Sequence, residues 1–124
     1  MDTRSKILTL AEAQALARPV ALASGSFDVL RVEHARELQD ARNRAAGGAL
    51  LVVVLPSAAG LLGQRARAEM VAALRMVDYV VIADYDDLEP LIRELSPTTV
   101  VRLEAADARR TRQLIEYVHR RQNR

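Results

Sequence analysis

Apolar residues along the chain fall into short continuous runs separated by longer stretches with helical spacing. Continuous, partly β-branched runs of this length are typical of strands buried in a parallel sheet. We therefore predict four strands. They lie at VALAS (20–24), ALLVVVLP (49–56), DYVVIA (78–83) and TTVVRL (98–103).

Between and around these runs, apolar residues recur at the spacing of a helix. The first helical segment, 9–19, starts at Thr9, a good N-cap residue, and stops at Pro19. The second, 34–46, ends at the pair Gly47-Gly48, which is typical of a helix C-terminus. Three further helices are predicted at 65–76, 86–95 and 108–121.

Strands that alternate with helices over short connections predict an α/β fold of three layers, with a parallel sheet between two layers of helices. Apolar residues make up 50% of the 124 residues, so we expect a folded protein with one domain over 1–124. In such folds, ligands bind at the carboxyl ends of the strands, where the strand order reverses.

Composition narrows the class of protein further. The longest apolar stretch is interrupted by Pro56 and Gly60, and the first six residues lack the apolar core of a signal peptide. The chain has no cysteine, which excludes a disulfide framework and a thiolate metal site. We therefore expect a cytoplasmic protein that does not enter a membrane.

Charge gives weak support for nucleic-acid binding. The net charge is +2 and aromatic residues make up 3% of the chain, too few for a surface that stacks bases. The segment 109–124 is basic, but cations near a helix C-terminus are also favoured by the helix dipole. We interpret the segment as a solvated helix; binding that falls steeply with salt would indicate a nucleic-acid partner instead.

The stretch GSFDVLRVEH (25–34) links the first predicted strand to the second predicted helix. A strand, a glycine turn and a helix N-terminus together form a place that can hold a phosphate. This turn is therefore the natural candidate site.

The same stretch resembles the G-x-F-D-x-x-H-x-G-H signature of the cytidylyltransferase-like nucleotidyltransferases, and within them the adenylyltransferase domain that makes ADP-heptose. Three more stretches are similar to that group in the same order, so the resemblance covers nearly the whole chain. They are KILTLAEAQALAR (6–18), RAEMVAALRMVDYVVI (67–82) and LIRELSPTTVV (91–101).

The resemblance implies a Rossmann-like sheet with the strand order 3-2-1-4, counting the four predicted strands along the chain. It also implies a reaction: a phosphorylated small molecule attacks the α-phosphate of ATP or CTP, pyrophosphate leaves, and Mg²⁺ accompanies the nucleotide. The matching residues divide into two sets. Catalytic positions fall on Arg31 and His34. Nucleotide contacts fall on Ser24, Gly25, Ser26, Phe27, Asp28, Arg65, Arg67 and Thr111.

The chain departs from the family's pattern at several positions. Arg31 replaces the first histidine of the signature, and Glu33 replaces its glycine. The family's loop lysine is missing, because Lys6 is the single lysine of the chain. A Gly-Gly-Asp turn and a further strand after the fourth one are also missing, and Thr111 is what remains of a hydroxyl cluster.

Several of these residues also have a structural interpretation. Gly25 suits a tight turn, Phe27 suits the core, and Asp28 can orient the turn by accepting hydrogen bonds from backbone amides. For His34 a structural and a catalytic role are equally favoured. A separate acidic group at Asp84, Asp86 and Asp87 indicates a helix cap first and a metal site second.

Glu33 is the residue that argues most against a nucleotide. Next to a triphosphate at about 4 Å and an effective dielectric near 20, its charge costs about 4 kcal/mol, or about a thousandfold in affinity. The helix dipole offsets only about 0.3 to 1 kcal/mol of this.

Two functions therefore stay open. One is an active or weakly active nucleotidyltransferase; the other is a non-catalytic binding or assembly module of the same fold. A homodimer is expected in either case, because the missing strand leaves TTVVRL (98–103) at a sheet edge.

Overall fold

A computed structural model describes residues 2–57, 62–105 and 120. Within them, five parallel strands form one sheet in the order β1-β4-β3-β2-β5. The strands are β1 Ile7–Leu8, β2 Val20–Gly25, β3 Ala49–Val54, β4 Tyr79–Ile82 and β5 Val100–Arg102. The helices are α1 Leu10–Gln14, α2 Val32–Asn43, α3 Gln64–Ala72 and α4 Tyr85–Leu95, and a 3₁₀ turn covers Thr3–Lys6.

The predicted α/β architecture is confirmed. The four predicted strands correspond to β2, β3, β4 and β5, and they lie in the predicted order 3-2-1-4. The prediction missed β1, a two-residue strand that pairs with β4 at the edge of the sheet. A strand of two residues is too short to show a periodic pattern in the sequence, and these two directly precede the N-cap of α1. The strand is defined by its pairing with β4. The helix predicted at 108–121 lies outside the described residues except at position 120.

Helix ends differ from the prediction more than helix starts. Thr9 caps α1 as expected: its hydroxyl accepts from the Glu12 amide (3.2 Å), and Glu12 accepts from the Thr9 amide (2.9 Å). This reciprocal pair is a capping box. However, α1 ends at Gln14 and not near Pro19. Likewise α2 ends at Asn43, three residues before the predicted limit, and the chain then turns through positive φ at Ala46 and Gly47.

The core has two parts, one on each face of the sheet. On one face, α2 and α3 pack Leu38, Ala68 and Val71 against the strands. On the other face, α4 packs its leucines, and α1 packs Ala13. β2, β3 and β4 lie between the two parts, which explains why their sequences are apolar without alternation.

This arrangement places the reversal of strand order between β2 and β5. The connection from β2 to β3 runs through α2 on one face, whereas the connection into β5 runs through α4 on the other face. The two strands are paired directly, with Ser24 opposite Arg102. The carboxyl ends of β2 and β5 therefore border the crevice in which open α/β sheets bind ligands.

No helix in the described ranges has both the length and the apolar character that crossing a membrane requires.

Candidate functional site

The turn after β2 is built around Phe27. This residue has a φ of +54° and is 1% exposed, an uncommon backbone conformation for an aromatic residue. A Cβ on Gly25 would lie 3.0 Å from Cε2 and Cζ of the Phe27 ring and 3.4 Å from Cβ of Leu103. The predicted core role of Phe27 is confirmed. The space that Gly25 leaves is taken by this ring, so the glycine serves packing within the protein.

His34 is the third residue of α2 and is 2% exposed. Its Nδ1 accepts a hydrogen bond from the backbone amide of Arg31 (3.0 Å), the residue that caps the helix. Its ring meets the Phe27 ring edge-on, with centroids 5.8 Å apart. Because Nδ1 is the acceptor, a neutral ring carries its proton on Nε2. His34 thus does what glutamate does in a capping box, which is a structural role.

Arg31 and Glu33 lie on the surface at the N-terminus of α2, and both are exposed. Exposure to water lowers the electrostatic cost of placing the Glu33 carboxylate beside a phosphate. In water, a unit charge about 4 Å from a phosphate charge costs about 1 kcal/mol, which is about fivefold in affinity and well below the thousandfold expected at low dielectric.

The prediction that Asp28 accepts hydrogen bonds from the backbone amides of its own turn is wrong. Its Oδ2 accepts a hydrogen bond from the hydroxyl of Ser57, in the loop after β3, and not from the amides of its own turn. Its other oxygen, Oδ1, is buried and has no hydrogen-bond partner among the described residues. Asp28 therefore joins the loops that follow β2 and β3, because the side chain leaves its own turn for a neighbouring one.

Ser24 is fully buried near the end of β2, and its hydroxyl donates to the carboxylate of Glu104, with Oγ 2.8 Å from Oε2 and 3.0 Å from Oε1. Glu104 is half-buried and lies two residues after the end of β5. Sequence reasoning missed Glu104. Its position after a strand that neighbours β2 was the available signal.

Comparison with known proteins identifies the group. No family model matches the chain. The bifunctional protein HldE of Geobacter sulfurreducens is 38% identical over 112 residues, which cover 82% of this chain and 22% of that protein. HldE of Geotalea uraniireducens is 42% identical over 89 residues, 64% of this chain and 18% of that protein. The FAD synthase of Halalkalicoccus jeotgali is 34% identical over 87 residues, 65% of this chain and 60% of that protein.

The HldE proteins and the FAD synthase both support the resemblance of the turn to the nucleotidyltransferase signature. The chain belongs to the cytidylyltransferase-like nucleotidyltransferase superfamily. It spans about a fifth of the length of the HldE proteins it matches.

The superfamily's cationic positions have other partners in this chain. Arg67 is 3% exposed and its guanidinium donates to three backbone carbonyls. Nη1 donates to Ser26 and to Leu55 (2.9 Å), and Nε donates to Leu62 (3.3 Å). Arg67 therefore fastens the loop after β2 to the end of β3 and to the start of α3.

Two further cations, Arg65 and Lys6, also have partners within the chain. Arg65 is 60% exposed and pairs with Glu69 one turn along α3, with Nε and Oε1 3.5 Å apart. Lys6 precedes β1, and its Nζ donates to the Leu74 carbonyl (3.2 Å) at the opposite edge of the sheet from the turn.

The structure thus gathers part of the predicted set at the carboxyl ends of the strands. Arg65 lies in the first turn of α3, where its side chain pairs with Glu69, and Thr111 lies outside the described residues. Besides Glu104, Gln64 was not predicted there: its Nε2 donates to the carbonyls of Val54 (2.9 Å) and Ala83 (3.1 Å), which joins the ends of β3 and β4. The predicted residues that do meet at the carboxyl ends of the strands are Ser24, Gly25, Ser26, Phe27, Asp28, Arg31, His34 and Arg67.

The residues of the turn do not by themselves form a Mg²⁺ site. Across the described ranges, no group of three or more histidine, aspartate or glutamate side chains is arranged to hold a metal. The acidic group at the N-terminus of α4 acts as a cap, since the Asp84 amide donates to Oδ2 of Asp87 (3.2 Å). The interpretation of that group as a helix cap is therefore confirmed.

Proposed function

We propose that this chain is a nucleotidyltransferase-family domain that binds a nucleotide and in which nucleotidyl transfer is lost or severely weakened. The observation that carries the proposal is the position of His34. The ring is buried, and its Nδ1 is used to cap α2. With 2% of its surface exposed, the ring offers a reacting phosphate little access to the proton on Nε2.

The distribution of cations supports the same conclusion. Enzymes that transfer nucleotidyl groups act by positioning the reactants and by stabilising the developing negative charge. In this chain the Arg67 guanidinium is occupied by carbonyls, and Arg65 pairs with Glu69 on the surface. Arg31 is exposed at the helix N-terminus and supplies charge there, but its guanidinium does not exchange protons at neutral pH as an imidazole does.

We take ATP as the nucleotide and Mg²⁺ as the ion that accompanies it. One relative is named an FAD synthase, and the stretch 25–34 resembles the signature of the domain that makes ADP-heptose; both favour an adenine nucleotide. Mg²⁺ usually binds through one or two carboxylates together with substrate phosphates, so it would arrive with the triphosphate. The second ligand in the superfamily is a phosphorylated small molecule.

The test is a release assay for pyrophosphate with ATP or CTP, Mg²⁺ and a sugar 1-phosphate, run beside the HldE protein of Geobacter sulfurreducens as a positive control. Loss of acid–base and cationic groups predicts a rate lower by at least about a thousandfold. Calorimetry with ATP and Mg²⁺ measures binding separately. A rate within about tenfold of the control would contradict the proposal.

The second candidate is a working enzyme in which Arg31 takes the place of the missing histidine. The exposure of Arg31 at the N-terminus of α2 favours it, because this is where a phosphate would be held. In that case Arg31→Ala should remove nearly all pyrophosphate release, whereas Arg36→Ala, an exposed position further along α2, should leave it unchanged.

A further inference from the structure

Glu104 occupies an unusual place for a carboxylate. It follows β5 and is tied by Ser24 to β2, so the hydrogen bond spans the two strands between which the strand order reverses. It is half-buried, and no arginine or lysine of the described residues forms an ion pair with it. A phosphate-binding crevice would ordinarily be free of such a charge.

The hydrogen bonding of this carboxylate is incomplete within the described part of the chain. An ionised carboxylate has about four positions at which it accepts hydrogen bonds, and the Ser24 hydroxyl fills one with a single hydrogen. Partly buried polar groups are normally satisfied by donors. Glu104 thus presents acceptor positions at the crevice, with its orientation held by a fully buried serine.

We propose that Glu104, oriented by Ser24, recognises adjacent hydroxyl groups of a ligand in the crevice between β2 and β5. This rests on the proposed nucleotide-binding function. A carboxylate attracts O–H donors and repels phosphate, so the sugar part of the ligand lies against Glu104 and the phosphates lie away from it. Acidic residues play this part for the ribose in other α/β folds that bind dinucleotides. The hydroxyls are those of the ribose of ATP or of a phosphorylated sugar.

The experiment is calorimetry at fixed salt with Mg²⁺ and four probes: ATP, 2′,3′-dideoxy-ATP, glucose 1-phosphate and tripolyphosphate. The unmodified chain is compared with Glu104→Gln, and Glu94→Gln on the surface of α4 serves as the matched control. Glu104→Gln removes a charged acceptor, so its affinity for the probe whose hydroxyls Glu104 binds should be about ten- to a hundredfold lower than that of the parent. Tripolyphosphate should bind Glu104→Gln equally or more tightly, and Glu94→Gln should match the parent throughout.

The probes separate the two sources of hydroxyls. If the ribose is bound, the parent binds dideoxy-ATP more weakly than ATP by the same factor, and this measurement needs no variant. If a sugar phosphate is bound, Glu104→Gln weakens glucose 1-phosphate and leaves ATP unchanged. Ser24→Ala should give a smaller loss for the same probe, because the carboxylate stays but is no longer held.

Two results overturn the inference, and they are distinguishable. In the first, the phosphate probes bind the parent, but neither removing the ribose hydroxyls nor Glu104→Gln lowers any affinity. That result would leave the proposed function standing and exclude the role of Glu104. Failure of all four probes to bind the parent would remove the proposed function, and the role of Glu104 with it.

Discussion

His34 illustrates how a residue of a catalytic motif can be retained for a structural reason. Its ring sits against Phe27 and its Nδ1 closes the first turn of α2. Phe27 in turn needs the space that Gly25 leaves. The motif residues in this chain therefore support one another, and an intact pattern of glycine, phenylalanine and histidine is compatible with a turn that performs no chemistry.

The capping role of His34 is testable by substitution. His34→Ala should lower the free energy of unfolding by about 1 to 3 kcal/mol, through loss of the cap and of buried ring contacts. His34→Gln should recover part of this, because glutamine at this helix position can accept from the cap amide. Denaturant unfolding measures both. If alanine and glutamine were equally harmful, the cap would not be what His34 contributes.

Substitutions can also restore the superfamily signature in the sequence of the turn. The double change Arg31→His and Glu33→Gly should raise the affinity for ATP with Mg²⁺ by about five- to tenfold, since Glu33 is exposed and its charge is screened. Stability should fall by about 1 kcal/mol, because glycine enters the first helical turn. Glu33→Gln, which removes the charge without the glycine, is the control. Unchanged ATP affinity in both variants would show that Glu33 does not face the nucleotide.

At the scale of elements, the two arginines of α3 differ in role: Arg67 is buried and binds backbone carbonyls, whereas Arg65 is exposed and pairs with Glu69. Arg67→Met should destabilise the chain by about 3 kcal/mol or more, because three backbone carbonyls lose their donor. Arg65→Met, two residues away on the same helix, removes an exposed pair and should change stability by less than about 0.5 kcal/mol. Thermal unfolding measures the stability of both variants. Similar losses of stability would refute the proposal that Arg67 holds the loops together.

The cap of α1 makes a pH-dependent contribution. The Glu12 carboxylate accepts a hydrogen bond from the backbone amide of Thr9, and this bond lowers the pKa of the carboxyl. A lowered pKa in the folded state means that the stabilisation is present at neutral pH and is lost as the pH falls through the acid range, below about 5. Glu12→Gln should therefore be less stable than the parent at pH 7 and converge with it in acid. A constant difference across the range would exclude the carboxylate as the cause.

At the scale of the whole molecule, the fold was predictable because β2, β3 and β4 are buried on both faces and appear in the sequence as continuous apolar runs. The site was predictable only in part. The positions of Gly25, Phe27 and His34 followed from the motif, but the partners of Asp28, Arg67 and Ser24 lie on other loops. Such contacts depend on how loops meet in space, and periodicity carries no information about them.

Self-association belongs to this scale as well, and we propose a homodimer that forms through β5. Among the described strands, β5 pairs only with β2, and Val100 is 36% exposed on it. An apolar strand at a sheet edge tends to pair with another copy, and a charged side chain there discourages pairing. Val100→Lys should therefore shift the chain from dimer to monomer in light scattering at high concentration, whereas Met70→Lys, at a 40% exposed apolar position on α3, should not. A parent chain that stays monomeric at the highest soluble concentration would contradict the homodimer, and a dimer unaffected by Val100→Lys would place its interface elsewhere.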